Sequence, residues 1–404
     1  MITHLDRASV IEYRSSIYVS SRQIDYESHH KERELRTRID HLKYMKTFRC
    51  VGSECPFNCC SSWTIPLTKE DIGRLDRHRE KLGTLKAHFN IEQMQISKGT
   101  HGNCALLDDV GWCRAQQAAG HGVLPTACQT YPRQLHQLED TIQLSGELSC
   151  PEIARLIIEN EDSCLEEPKV KRQFPEKLIK SKRMDLTQRE RTLLGLNLML
   201  ISSLNDKDTP FDSLGHWVMR SANILGEAVL QKSHFPKGTR SRVNDIVFND
   251  FLMLMQREGG GPFAKLWLEI QPKLPKQQNE LDGDAILKEA RKELKKRWSS
   301  KTRHGIMSRI LIASLHAKPL IGKQYWSEMR QLFLQVALVG IGAAFLDREG
   351  NSPMIESLYA QSRLFAHSKN MATQLKPLFD AAGLSEQVGA ILMLDFMQQI
   401  WGNA

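Results

Sequence analysis

Apolar residues recur at helical spacing through the second half of the chain. Leu193, Leu196 and Leu200 mark one such stretch, and Met393, Phe396, Met397 and Ile400 mark another. That period predicts helices almost throughout residues 166–404. The longest apolar run, Leu332 to Leu346, is interrupted by Gln335, Gly340 and Gly342 and falls short of a bilayer crossing, so it reads as a buried helix. Two long loops are expected, one around Gly259-Gly260-Gly261-Pro262 and one from Gln271 to Asp284. Alternating strand-type runs are scarce, and no repeat of fixed period is visible.

Residues 41–165 follow no such period. Gly52, Pro56, Gly99, Gly102, Gly111, Gly120, Gly122 and Pro125 break them into short pieces, with a polar helical stretch expected around Lys69 to Phe89. Ser149-Cys150-Pro151-Glu152 puts proline at a first helical position, followed by Ile153, Leu156 and Ile157 on one face. A basic, proline-punctuated connection from Glu167 to Arg183 reads as a boundary. Residues 1–40 are polar, with His29, His30, Lys31, Glu32, Arg33 and Glu34 in succession, and read as a solvated extension; a translation start further along is the other reading. The expected organisation is an extension (1–40), a cysteine-rich module (41–165) and a helical domain (166–404).

Composition narrows the class. With 404 residues, 41% hydrophobic and 25% charged, the chain can bury a proper core and is neither disordered nor fibrous. The net charge of 55 − 47 = +8 suits an acidic partner but is no nucleic-acid signature. No signal peptide or membrane span is legible, so the expectation is a cytoplasmic protein with neither nucleic acid nor membrane as partner.

The cysteines change the picture. Eight of nine fall within residues 50–150: Cys50-x4-Cys55-x3-Cys59-Cys60, then Cys104-x8-Cys113-x14-Cys128, then Cys150. In a reducing compartment such clustering points to metal. Thiolates are soft ligands for zinc or iron–sulfur clusters, and short Gly/Pro loops let several converge. Paired Cys-x2-Cys knuckles of the zinc-ribbon kind do not occur, which tilts the reading toward a cluster, with zinc as the alternative. Eight thiols exceed the need of one mononuclear centre, so either one cluster uses half of them or two centres exist. The fold expected is therefore mainly α, with an irregular cysteine-rich metal-binding module packed on a multi-helix domain. Cys55-x3-Cys59 is followed at once by Cys60, so the Cys-x3-Cys-x2-Cys spacing of radical S-adenosylmethionine chemistry is not met.

The run Tyr44-Met45-x2-Phe48-x-Cys50, then Cys55-x3-Cys59-Cys60-x2-Trp63-x-Ile65, resembles the opening of the flagellin lysine-N-methylases. A second block extends the likeness: Cys104-x-Leu106, Cys113, Gly122-x-Leu124-Pro125-x2-Cys128-x2-Tyr131-Pro132-Arg133 and Ser149-Cys150-Pro151-Glu152-x-Ala154-Arg155. The cysteine pattern is also similar to a broader group of zinc- or iron-chelating cysteine-cluster proteins. The resemblance implies methyl transfer from S-adenosylmethionine to surface lysines of flagellin. It also implies a cysteine-held iron–sulfur centre, of the four-iron four-sulfur kind, with Cys50, Cys55, Cys59, Cys60, Cys104, Cys113, Cys128 and Cys150 as candidate ligands. Cys164 stands outside the motif.

A lysine ammonium, with a pKa of about 10.4, attacks a methyl group only after losing a proton, so such a site must desolvate the amine or supply a base. Tyr131 is the candidate base or orienter, Arg133 the candidate holder of the cosubstrate carboxylate, and Trp63 the candidate face for the sulfonium. Each has a competing structural reading, packing for the two aromatic rings and carbonyl capping for Arg133, and that reading comes first because buried aromatics usually pack. Gly340-Ile341-Gly342 lacks a third glycine and reads as close helix packing, not a cofactor loop. Lys288, Arg291, Lys292, Lys295, Lys296, Arg297, Lys301 and Arg303 form a basic stretch, ordinarily a solvated face and alternatively a docking face for an acidic protein surface. The reading of a different class is a non-catalytic zinc- or iron-binding adaptor or metallochaperone; a radical methylase with an unusual cluster motif is a third.

Overall fold

A helix built from the apolar run at residues 332–346 has no polar face and must be enclosed on all sides. In the computed structural model this run lies in the Tyr325–Phe345 helix, where Phe333, Leu334, Val336, Ala337 and Val339 are fully buried. The structure describes residues 38–55, 59–60, 64–99, 103–139, 141–166, 170–171, 185–205, 210–230, 235, 238–251, 262–367 and 371–402. Among these the fold is mainly helical.

The central helix is wrapped by Ser352–His367 and Glu386–Trp401. Gln335 donates to Ser362 Oγ at 2.8 Å and Ser357 donates to the Leu338 carbonyl at 3.5 Å, so Ser352–His367 runs antiparallel to it. Trp401 Nε1 donates to the Val336 carbonyl at 3.0 Å on another side. Gly340 and Gly342 make this approach possible. A methyl group at Gly340 would stand 2.8 Å from Ile400, and one at Gly342 would collide with the Ser357 hydroxyl. The pair is close helix packing, as its spacing predicts.

The Gly283–Arg297 and Ser300–Ala317 helices follow Asp282 and Ser299, whose side chains accept from Ala285 N and Thr302 N and so cap the first turns. The segment expected as a long loop from Gln271 is instead a turn and a tight hairpin, with Lys276–Gln277 paired to Glu280–Leu281. Asn249 Nδ2 donates to the Leu281 carbonyl and Asn249 Oδ1 accepts from its N–H, which anchors the hairpin. The loop expected around Gly259 lies mostly outside the described residues, with Pro262 opening the next helix.

One sheet went unread in the sequence. Its strand order is Arg133–Leu138, Thr141–Gly146, Arg38–His41, Val170–Lys171. Leu135 pairs with Leu144 in an antiparallel ladder, while Arg38 pairs with Thr141 in a parallel one. The central Thr141–Gly146 strand is covered on both faces, so Gln143 and Ser145 are buried beside Ile142 and Leu144 and blur the apolar/polar alternation. Residues 38–40, expected in the solvated extension, supply its neighbour; the rest of that extension lies outside the described residues.

Among the described residues two apolar clusters organise the fold. The larger gathers Ile39, Tyr44, Phe48, Ile142, Ile153 and Cys164 together with Trp217, Trp267 and Phe333 of the helical half. Residues on both sides of position 165 therefore share one core, and Thr37–Ala404 forms one compact unit. The smaller cluster contains Ile65, Leu67, Leu75, Leu82, Phe89, Ile96, Cys104, Leu106 and Val123. The expected polar helix is present here as Lys69–Arg77, continued by Arg79–Leu82. Its N-terminus carries a capping box of Thr68 and Asp71, and the buried Asp71 carboxylate also accepts from Thr126 N at 2.9 Å and Thr126 Oγ1 at 2.7 Å. Burial opposes ionisation of Asp71, but these hydrogen bonds outweigh it and hold the carboxyl below its ordinary range. No helix among the described residues is long and apolar enough to cross a membrane.

Candidate functional site

The two cysteine blocks meet on the smaller core. Cys59 and Cys60 occupy a turn whose sulfurs lie 4.0 Å apart. Cys104 N donates to the Cys60 carbonyl at 2.9 Å, which ties the second block to the first. Cys113 pairs with Leu107 and precedes the Arg114–Ala119 helix, and Cys128 sits in the Thr126–Thr130 helical turn. Trp112 adds a further tie. Gly52 holds a left-handed backbone (φ +59°), and a methyl group there would stand 3.0 Å from the Trp112 ring. Only a glycine meets both demands without strain.

The thiols feel one another electrostatically. The contact between Cys59 and Cys60 lowers Cys59, with help from the nearby Arg363 guanidinium, and raises Cys60 far above the ordinary thiol value. Burial pushes Cys104 up to about 11, and the negative charge of Cys113 and Cys59 adds to it. Burial likewise raises Cys113 and Cys128, with Cys59 contributing to both. Cys150 caps the Pro151–Glu159 helix and is pushed up to about 12 by burial, with small contributions from Cys55 and Cys59. None of the nine cysteines is joined in a disulfide.

The structure therefore brings together Cys59, Cys60, Cys104, Cys113 and Cys128, with Cys55 and Cys150 beside them. Cys50 is exposed. Cys164 belongs to the larger core, where its Sγ lies 3.4 Å from the Arg309 carbonyl and burial raises it to about 12.

The other predicted residues divide. Tyr131 is largely buried, its hydroxyl 3.3 Å from Ser149 Oγ, and burial raises its pKa well above the ordinary phenol value. A phenol so held stays protonated and orients neighbours rather than accepting a proton. Arg133 lies at the exposed start of its strand with its guanidinium carbon 4.9 Å from the Phe48 ring centroid. Trp63 lies outside the described residues.

Two residues that the sequence reading missed come from the Ser352–His367 helix. Arg363 Nη2 donates to the Cys59 carbonyl at 3.3 Å, and its charge also bears on Tyr131 and Tyr359. Tyr359 is fully buried, raised by burial, and feels Cys55 and Glu356. Glu356, Tyr359 and Arg363 stand three and four positions apart, one face of a helix. That polar stripe on a mostly apolar helix was the available signal.

Five soft donors, Cys104 buried and the others half-buried, that destabilise one another as anions match a thiophilic metal or an iron–sulfur group in chemistry, because a bound cationic centre removes the mutual penalty. Among the described residues no three Cys, His, Asp or Glu side chains are arranged to hold a metal ion as they stand. The basic stretch is partly committed elsewhere. Arg297 donates to the Ala343 and Leu346 carbonyls, Arg303 to the Trp298 carbonyl and Arg291 to the Gly402 carbonyl. Lys288, Lys292, Lys295, Lys296 and Lys301 form its exposed remainder.

Comparison with curated proteins finds similarity over 130 residues, 30% of this chain. The chain is 28% identical there to the flagellar biosynthetic protein FliU of Salmonella muenchen, 76% of whose length is spanned. It is 27% identical to lysine-N-methylases of Salmonella typhimurium and Salmonella choleraesuis, of which the match spans 32%. No family model matches the chain, and no solved structure matches it. The resemblance carried by the cysteine blocks is thus borne out: part of this chain is related to proteins named lysine-N-methylase and to a flagellar biosynthetic protein.

Proposed function

We propose that this protein is an S-adenosylmethionine-dependent protein lysine N-methyltransferase that acts in the cytoplasm on surface lysines of flagellin. The observation that carries the reading is the relation to lysine-N-methylases, joined to the meeting of thiols from two separated blocks beside a buried tyrosine and an arginine. Cys59, Cys60, Cys104, Cys113 and Cys128 are the residues that would hold an iron–sulfur centre, with Cys55 and Cys150 in reserve. The cosubstrate supplies an electrophilic methyl group on a sulfonium.

The chain has to supply the rest. At pH 7 roughly one lysine in 2,500 is neutral, a deficit of about 4–5 kcal/mol that desolvation or a base must offset. Tyr131, neutral and fixed by Ser149, suits the orienting of an amine. Arg363 sets a positive charge against the thiols and suits an anionic group of the cosubstrate. Incubation of anaerobically prepared protein with flagellin and methyl-labelled S-adenosylmethionine, followed by mass spectrometry of the lysines, tests the reading. Label on lysine ε-nitrogens is the expected result. Material carrying its full iron and sulfide that transfers no label would overturn it.

A further inference from the structure

Among the described residues, two exposed apolar side chains share one hydrogen-bonded tip between Cys104 and Cys113. Val110 is 70% exposed and Trp112 is 42% exposed. Hiding apolar surface gains about 25 cal/mol for each Å², and packing against Gly52 covers only part of the indole, which leaves Val110 and the rest of the Trp112 ring open to a partner.

The tip is built to keep them there. Asp108 Oδ1 accepts from Val110 N at 3.1 Å and from Trp112 N at 2.7 Å, and its other oxygen accepts from Gln117 Nε2 at 3.1 Å. Asp108 N donates back to the Trp112 carbonyl at 2.9 Å, and Gly111, at φ +85°, closes the turn. One edge of the indole rests on Gly52, so the ring cannot fold away.

Charge sets the partner. The tip reads Asp108-Asp109-Val110-Gly111-Trp112, two carboxylates and no cation, on a chain of net charge +8. The next residue with a cation, Arg114, turns inward to the Ala105 carbonyl at 2.6 Å. An exposed carboxylate at Asp109, a half-open indole and an aliphatic contact together suit one side chain: a long alkyl stem ending in an ammonium.

We infer that the Asp109–Trp112 tip docks a lysine-bearing segment of the polypeptide substrate next to Cys113. This rests on the reading of the protein as a lysine-modifying enzyme, and names the surface by which it would grip its substrate. The ammonium faces Asp109 and the open part of the Trp112 ring, and the lysine methylenes lie along Val110.

The test measures binding apart from turnover. A short fluorescent peptide carrying several lysines is titrated with the full chain, and anisotropy is compared with that of the same peptide with its lysines acetylated. Asp109→Asn combined with Val110→Ser, both exposed, should weaken the lysine peptide about tenfold. The acetylated peptide should bind the parent about as weakly, and added salt should erase the difference. Trp112→Phe, which keeps a ring over Gly52, should fall between the two. Unchanged affinity in the double variant, or equal binding of the acetylated peptide, overturns the proposal. So does a double variant that loses self-association of the chain, which would assign the tip to a second copy. The two readings fail separately: tip variants that bind and methylate like the parent remove the docking surface alone, whereas a parent that binds the peptide at the tip but transfers no methyl group removes the enzymatic reading alone.

Discussion

His316 offers the sharpest test of how this fold handles buried polarity. It lies near the end of the Ser300–Ala317 helix and is buried. His316 Nδ1 and His41 Nδ1 are both buried with no hydrogen-bond partner among the described residues. Burial, then repulsion from His41 and His136, lowers the His316 pKa from 6.5 to about 3. The native state therefore refuses a proton that the unfolded chain accepts below about pH 6.5. Stability contributed by the neutral ring is complete above pH 6.5 and is lost as pH falls toward 3. At pH 5 the unfolded histidine is about 97% protonated, and the linkage amounts to about 2 kcal/mol relative to pH 7.5. Urea unfolding, followed by tryptophan fluorescence at both pH values, should show this loss in the parent. His316→Phe, which keeps a planar ring and removes the titrating nitrogens, should show a loss smaller by about 2 kcal/mol. Equal losses in parent and variant would refute the reasoning, because the linked proton would then belong to another group.

Further tests address the site and its supports. Gly52→Ala places a side chain at φ +59° and against the Trp112 ring, and should cost about 1–3 kcal/mol, read as a lower melting temperature and faster proteolysis between residues 50 and 113. Cys128→Ser should strip iron from anaerobically prepared protein while Cys164→Ser retains it; equal retention would make Cys128 an ordinary buried thiol. Arg363→Gln should lower methyl transfer to flagellin at least tenfold and shift the absorption of the centre, with the fold intact by circular dichroism; an unaltered spectrum and rate would detach Arg363 from the site. Gly342→Val should destabilise the helical core by about 1–3 kcal/mol in chemical denaturation, since Ser357 occupies the space.

Much of the helical half was legible because its information is local. A 3.6-residue period and a glycine pair each act within a few residues, and the Tyr325–Phe345 and Glu386–Trp401 helices follow directly. The cysteine blocks were legible for a different reason: their clustering in one third of the chain has no packing explanation. The hairpin of Arg133–Leu138 and Thr141–Gly146 was not, because both faces of its inner strand are covered and its neighbour at Arg38–His41 comes from a segment that reads as solvated. Arg363 was illegible as a partner of the thiols, since it stands 304 residues from Cys59 and the helix that carries it is specified by packing.

The residues alone determined that the chain is mainly helical, that its thiols are gathered, and that its long apolar run is buried. Tertiary structure decided which thiols face one another, that Cys164 belongs to the larger core, and that an arginine and a tyrosine from the helical half reach the site. Periodicity and capping are short-range forces written into neighbouring positions. Burial, and the charge shifts it causes, depend on what a distant segment brings, so no reading of the order of residues could supply them.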